Sequence, residues 1–155
     1  MPMKQAATAA DLCTRQVVVC PPSLSVDEAA RLMRERHVGS VVVVEMGDGG
    51  RLPTGILTDR DIVTAVVAKD VDPKTLRVGD VMSATVAVVR AHDTLYDVLS
   101  QMRRHGVRRI PVIDAHGMLA GIVSQDDVLS AIAGELQALA SIAPREQVRE
   151  RSARP

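Results

Sequence analysis

The chain has 155 residues, 46% of them apolar, with 19 Lys and Arg balanced by 19 Asp and Glu. That length holds one modest domain or two very small ones sharing a core, and the balanced charge gives no footing for a nucleic-acid or acidic-membrane partner. Tyr96 is the one residue among Phe, Tyr and Trp, so the core must be aliphatic and the usual stacking platform for single-stranded nucleic acid is missing.

The first ten residues, MPMKQAATAA, carry one Lys and no apolar h-region, and are expected to form a flexible N-terminus rather than a secretory signal. The longest apolar runs, such as Val41 to Val44, are far too short to span a bilayer, so a cytoplasmic location is expected. Cys13 and Cys20 lie seven apart without a C-x-x-C and read as small core residues. Val17 to Cys20 is a short β-branched strand. Ser25-Val-Asp-Glu28 is a capping box opening a helix whose face is Val26, Ala29, Ala30 and Met33. Val41 to Val44 is a buried strand. A Gly-rich turn leads to a strand at Gly55, a glycine expected to allow a tight turn. A second helix opens near Thr58.

The same order then recurs. Val86 to Val89 is a strand, Thr94-Leu-Tyr-Asp97 caps a helix with Leu95, Val98, Leu99 and Met102 on one face, and Ile110 to Ile113 is a buried strand. Gly121 opens the last strand and Ser124 the last helix. That helix carries an apolar stripe of Val128, Leu129, Ile132, Leu136, Leu139 and Ile142, which so small a pair cannot bury internally. Gly134 interrupts it at a cost of about 1 kcal/mol and marks a kink or stop. The four histidines (His37, His92, His105, His116) form no metal-ligand spacing.

Sliding the chain by 69 places Met33 on Met102 (102 − 33), Val38 on Val107 and Val43 on Val112. The offset falls to 66 after a loop of nine residues, MGDGGRLPT, in the first copy and six, AHGMLA, in the second, so that GILTDRDIV at Gly55 lies over GIVSQDDVL at Gly121.

HVGSVVVV at His37, GILTDRDIV, GVRRIPVID at Gly106 and GIVSQDDV together resemble a tandem of cystathionine β-synthase (CBS) domains, a Bateman module, over about Asp11 to Gly134. With no output domain visible, the chain is similar to the stand-alone bacterial CBS-pair proteins. The resemblance implies an α/β (α+β) fold of two repeats, each a small sheet with two helices, packed as a pseudo-two-fold pair. The expected organisation is repeat 1 over 11–79, repeat 2 over 80–140 and a charged, fraying C-terminal tail over 141–155. CBS modules pair through helices, so a homodimer is expected, held by the stripe above.

Thr58-Asp-Arg-Asp61 and Ser124-Gln-Asp-Asp127 each fit an N-cap hydroxyl with an acid at the third helical position, which needs no ligand. The same atoms can serve a nucleotide. A helix N-terminus offers unpaired N–H groups to a phosphate, and an ionised Asp can accept both hydrogen bonds of a ribose diol. In the CBS family this motif reads ribose and phosphate, a role that carries to Thr58, Asp61, Ser124 and Asp127. The resemblance assigns adenine to the backbone of Gln16, Val17 and Val18 and of Thr85, Val86 and Ala87, with Ile56 and Ile122 as walls. Arg108 and Arg109, where the first copy has Gly39 and Ser40, would hold phosphates. Arg60 is expected to be an exposed helix arginine or to serve the other cleft.

The resulting expectation is a non-catalytic regulatory protein that binds AMP, ADP, ATP or a related adenosyl compound, with no obligatory cofactor and no metal, acting on a regulated protein partner. The rivals are a ligand-free dimeric scaffold and a thiol-based stress protein acting through Cys13 and Cys20.

Overall fold

A computed structural model describes residues 7–84 and 87–154. Its elements in chain order are α1 (Ala9–Leu12), β1 (Val19–Cys20), α2 (Val26–Arg36), β2 (Ser40–Gly47), β3 (Gly50–Thr58) and α3 (Asp59–Ile62), which continues into a π-helical turn over Val63–Val67. The second half follows with α4 (Val78–Val81), β4 (Val89–Arg90), α5 (Leu95–His105), β5 (Arg109–Ile113), β6 (Leu119–Ser124), α6 (Gln125–Ala140) and α7 (Ile142–Ala153). The result is the expected mixed fold with two three-stranded sheets, ordered β1-β2-β3 and β4-β5-β6.

The sheets are copies in register as well as in order. β1 pairs in parallel with β2 (Val19 opposite Val42), and β4 pairs likewise with β5 (Val89 opposite Val112). Each middle strand pairs antiparallel with the last, and each pair shifts register once, after Val43 and after Val112. β-Branched residues fill these strands because their side chains pack well on a half-buried pleated surface. Val41, Val42 and Val43 are buried, as are Ile110 and Val112.

Each sheet has its own aliphatic core. Cys20, Ala29, Met33, Val41, Val43, Leu57 and Val78 form one. Ala9, Val89, Val98, Met102, Ile110, Val112, Val123 and Val128 form the other. A third cluster joins the halves: Val42 and Val44 of β2 meet Leu119 of β6, with Val17, Val19 and Ile122 against them.

The packing units exchange one element. Ala9 of α1 lies in the core of the second half, and Val78 of α4 in that of the first. The segment after each of these helices crosses to the other sheet. Thr14 exchanges two backbone hydrogen bonds with Ile122, at 2.9 and 3.0 Å, and Ser83 does the same with Ile56, at 3.2 and 2.9 Å. These crossings explain Gly55 and Gly121. Neither has a positive φ, so neither is there for a tight turn. A Cβ on Gly55 would stand 2.5 Å from Met82 Sδ and 3.0 Å from the Ser83 carbonyl oxygen. One on Gly121 would stand 2.6 Å from Cys13 Sγ and 2.9 Å from the Thr14 carbonyl oxygen. Only hydrogen leaves room for the crossing strand.

The capping boxes form as read. The Ser25 hydroxyl and N–H both donate to Glu28 Oε2, and those of Thr94 to Asp97 Oδ2. These bonds hold both carboxyls below the usual carboxylate range, the hydroxyl bond contributing most. On the α2 face Val26, Ala29 and Met33 are buried, but Ala30 is exposed. A short methyl at the edge of the stripe does not reach the sheet.

The C-terminal part differs from expectation. α6 runs through Gly134 to Ala140 without stopping, because one glycine costs less than the hydrogen bonds a break would forfeit. The break falls at Ser141. Pro144 has no N–H to donate to the Ala140 carbonyl and its ring crowds that oxygen, so the helix restarts there as α7. The segment expected to fray is thus helical over Ile142–Ala153, and exposed along its length apart from its join at Ser141. Within α6, Val128 is buried and Ile132 packs against the second core, so those two belong to the chain's own interior.

Two outcomes follow. Gly55→Ala and Gly121→Ala should each cost about 1–3 kcal/mol by overpacking and so lower the urea midpoint, whereas Gly134→Ala, with nothing near its would-be Cβ, should raise it. Glu28 and Asp97 have depressed folded-state pKa values, so their contribution is present above the unfolded carboxylate range and lost as pH falls through the folded pKa. Glu28→Gln with Asp97→Asn should therefore flatten the acid limb of a stability-versus-pH curve.

Candidate functional site

One cleft gathers residues from both halves. It has a volume of about 930 Å³ and is bounded by Gly39, Ser40, Ile56, Thr58, Asp59, Arg60 and Asp61 from the first half. Ser83, Ala84, Ala87 and the run His105 to Arg109 complete it. Both partners of the Ser83–Ile56 crossing line it. It brings together Ile56, Thr58, Arg60, Asp61, Ala87, Arg108 and Arg109, all singled out in the sequence. Thr85 and Val86 lie outside the described residues.

The β3–α3 corner is built by its cap. The Thr58 N–H donates to Asp61 Oδ2 at 2.8 Å, and the Asp61 N–H donates back to Thr58 Oγ1 at 3.1 Å. The other free donors of this helix end are also taken. The Asp59 N–H donates to the Gly39 carbonyl at 2.9 Å, and the Arg60 N–H to Asp59 Oδ1 at 2.8 Å. The expectation of unpaired N–H groups waiting for a phosphate is therefore not met at α3. Its first three donors are satisfied within the chain, and anion recognition here falls to side chains.

Those side chains are cationic. Arg60 lines this same cleft, not a different one, and stands with Arg108 and Arg109. All three are exposed. Among the described residues the charged side-chain contacts are Arg31 with Asp27 and His92 with Asp93. None of the three cleft arginines is ion-paired, although Asp59 and Asp61 share the cavity. The sequence reading missed Ser83 and Ala84 as cleft residues. The signal was present in the repeat, since Ser83 is the counterpart of Thr14 (83 − 14 = 69).

The equivalent corner of the second half has the same cap. The Ser124 N–H and hydroxyl donate to Asp127 Oδ2 at 2.7 and 2.8 Å, and the Asp127 N–H returns to Ser124 Oγ at 3.2 Å. The Gln125 N–H is taken by the Arg108 carbonyl at 2.7 Å. Ile122 is at the Thr14 crossing, with Val17 packed on the inter-sheet cluster and Val18 on the first core. Gln16 is exposed nearby in sequence. These residues are not among those lining the 930 Å³ cleft. The copies differ in the hydroxyl: Ser124 donates its proton to the Asp127 carboxylate, while the Thr58 hydroxyl accepts from the Asp61 N–H and donates to neither oxygen of the Asp61 carboxylate.

Cys20 is buried, and desolvation pushes its thiol up to about 11, which leaves it protonated and unreactive at neutral pH. Among the described residues no group of three or more His, Cys, Asp or Glu could hold a metal ion, and no helix is long and apolar enough to cross a membrane.

The sequence matches the CBS domain family twice, over residues 9–68 and 78–134. The chain belongs to the CBS-domain family. Hypoxic response protein 1 of Mycobacterium tuberculosis is 36% identical over 121 residues, covering 78% of this chain and 82% of that one. An uncharacterized Methanopyrus kandleri protein, MK0525, is 35% identical over 119 residues, 77% of this chain but only 59% of its own length. Among solved structures, Hypoxic Response Protein I with two coordinated zinc ions superposes with a TM-score of 0.71 at 33% identity, covering 80% of this chain and 98% of that one. The cytosolic domain of the Mg²⁺ channel MgtE in complex with ATP gives 0.67 at 29% identity, over 79% of this chain and 48% of that one. CBS-pair proteins are generally regulatory and ligand-binding.

The cap geometry predicts a shared effect on stability. Asp61→Ala and Asp127→Ala should each destabilise the ligand-free protein by about 1 kcal/mol and so lower its melting temperature, because each removes the acid that closes a helix start. Thermal melts of the two variants in parallel check it.

Proposed function

We propose that this CBS pair is a non-catalytic regulatory module that binds an adenosine nucleotide in the cleft between its halves. The observation that carries the reading is the convergence of three unpaired arginines, Arg60, Arg108 and Arg109, on a cavity that also holds a hydroxyl and a carboxylate at one corner. Three guanidiniums without carboxylate partners fit a polyphosphate group. Asp61 uses Oδ2 for its cap, which leaves Oδ1 for a ribose hydroxyl. The Thr58 hydroxyl is available as a phosphate donor. With no aromatic ring in the lining, adenine would rest on Ile56 and Ala87. The ATP complex of the MgtE cytosolic domain supports the ligand class.

Ser124 and Asp127, with Gln16, Val17, Val18 and Ile122, are the pseudo-symmetric candidates for a second and weaker site. Its corner sets Asp126 where the first has Arg60 (126 − 60 = 66), which disfavours phosphate there. The module is proposed to act in the cytoplasm as a homodimer that signals to a regulated protein partner.

Calorimetry with AMP, ADP, ATP and GTP tests the reading. Adenine nucleotides should bind and raise the melting temperature by mass action, and GTP should do less. Asp61→Ala should cost about 1.5–3 kcal/mol of affinity beyond its effect on folding. Arg109→Ala should weaken ATP more than AMP, and added salt should narrow that gap. If no adenine nucleotide gives heat or a melting shift at millimolar concentration, the protein is a ligand-free scaffold and the proposal falls.

A further inference from the structure

Among the described residues one histidine lines the cleft, His105. It is the last residue of α5, and Gly106 caps that helix in the left-handed region at φ 62°. The Gly106 and Val107 N–H groups both donate to the Met102 carbonyl, so the chain turns there and leads directly into Arg108 and Arg109. The turn brings an imidazole to the cleft together with the two guanidiniums of the second half. In the first copy Arg36, the last residue of α2, stands at the place of His105 (105 − 36 = 69). Both side chains are exposed, so neither is held for the core. A helix C-terminus favours a cation, and arginine supplies one at every working pH. Histidine supplies one only when protonated, and its charge changes between about pH 5 and 8.

The charged groups that share the cleft with His105 are Asp59, Arg60 and Asp61 from the β3–α3 corner and Arg108 and Arg109 beyond the turn. Arg103 and Arg104 precede it on its own helix. The segment after α4 contributes Ser83 and Ala84, which carry no charge. At the start of α6, Asp126 follows Gln125, whose N–H is held by the Arg108 carbonyl. Among the described residues no carboxylate lies within ion-pairing distance of His105. Asp61 gives Oδ2 to its cap and Asp59 gives Oδ1 to the Arg60 N–H. A protonated His105 therefore has no anionic partner until one enters the cleft. We infer that His105 is a fourth phosphate contact of this site, one that acts only when protonated, so that polyphosphate binding tightens as pH falls. The sign follows from linkage. An anion beside the imidazole favours its charged form, so binding takes up a proton, and acid in turn favours binding. The inference rests on the nucleotide reading above and adds to that site a residue and a regulation by pH.

Calorimetric titration of the full chain with ATP at pH 6, 7 and 8 tests it, with wild type, His105→Gln and His105→Lys side by side and circular dichroism as the control for folding. The terminal phosphate of ATP also titrates in this range, so the ratio of variant to wild type at each pH is the quantity read. At pH 6 His105→Gln should bind ATP about two- to fivefold more weakly than wild type, the worth of an exposed ion pair, and at pH 8 the two should agree. His105→Lys, with a permanent cation, should match wild type at pH 6 and bind more tightly than it at pH 8. Adenosine, which has no phosphate, should not distinguish the three proteins at any pH. A His105→Gln protein that matches wild type across the range overturns the inference and leaves the nucleotide reading standing. A variant-to-wild-type ratio that does not change with pH, or one that is the same for adenosine as for ATP, also overturns it. A wild type that binds no ATP at millimolar concentration overturns both.

Discussion

Two backbone crossings hold this molecule together. Thr14 leaves the first half to pair with Ile122 of the last strand, and Ser83 leaves the second half to pair with Ile56. Each repeat alone would expose one side of its sheet. Each crossing adds a two-bond backbone bridge from the other repeat to the last strand, and carries a short helix into the other repeat's core. The requirement is severe at one atom. Gly55 and Gly121 must have no Cβ, because the crossing chain lies where it would be. The glycine in the twice-written GI motif is therefore a packing constraint, and at Gly55 the crossing it admits places Ser83 beside Ile56, both of which line the cleft.

The repeats share this frame and differ in what they hang on it. Gly39 and Ser40 occupy the positions of Arg108 and Arg109, and Asp126 that of Arg60. None of these six positions is buried, so none is fixed by the core. The substitutions gather cationic groups on one cleft without disturbing the valine and isoleucine strands beneath it. A duplicated fold can thus keep its packing symmetric while its surface chemistry diverges, since exposed side chains cost little to change.

Much of this was legible in the sequence. The fixed offset of the repeats, the two helix faces and all four capping boxes depend on local patterns, and the structure contains them. The role of Gly55 and Gly121 was not legible, because the neighbour that forbids a Cβ is remote in sequence. The placement of Arg60 beside Arg108 and Arg109 was hidden for the same reason: periodicity puts it on an exposed helix start but does not say which loop faces it. The helix at the C-terminus was misread from its charges. Arg145, Glu146, Arg149 and Glu150 are compatible with an exposed helix, and Pro144 in its first turn breaks α6 without preventing α7.

The caps bear on how a cleft of this kind can stay folded while empty. At α3 the first three N–H groups are satisfied by Gly39, Asp59 and Thr58, so an unoccupied cleft leaves no helix donor stranded. A ligand held by Arg60, Arg108 and Arg109 would not have to displace any of those bonds. Its anionic group would meet flexible guanidiniums already in water, and a ribose would meet the carboxylate oxygen that the cap does not use. Stability and recognition then draw on different atoms of the same residues. Asp61 can serve both because a carboxylate has two oxygens, and a hydroxyl-x-x-aspartate corner is a compact way to give one of them to the fold and leave the other free.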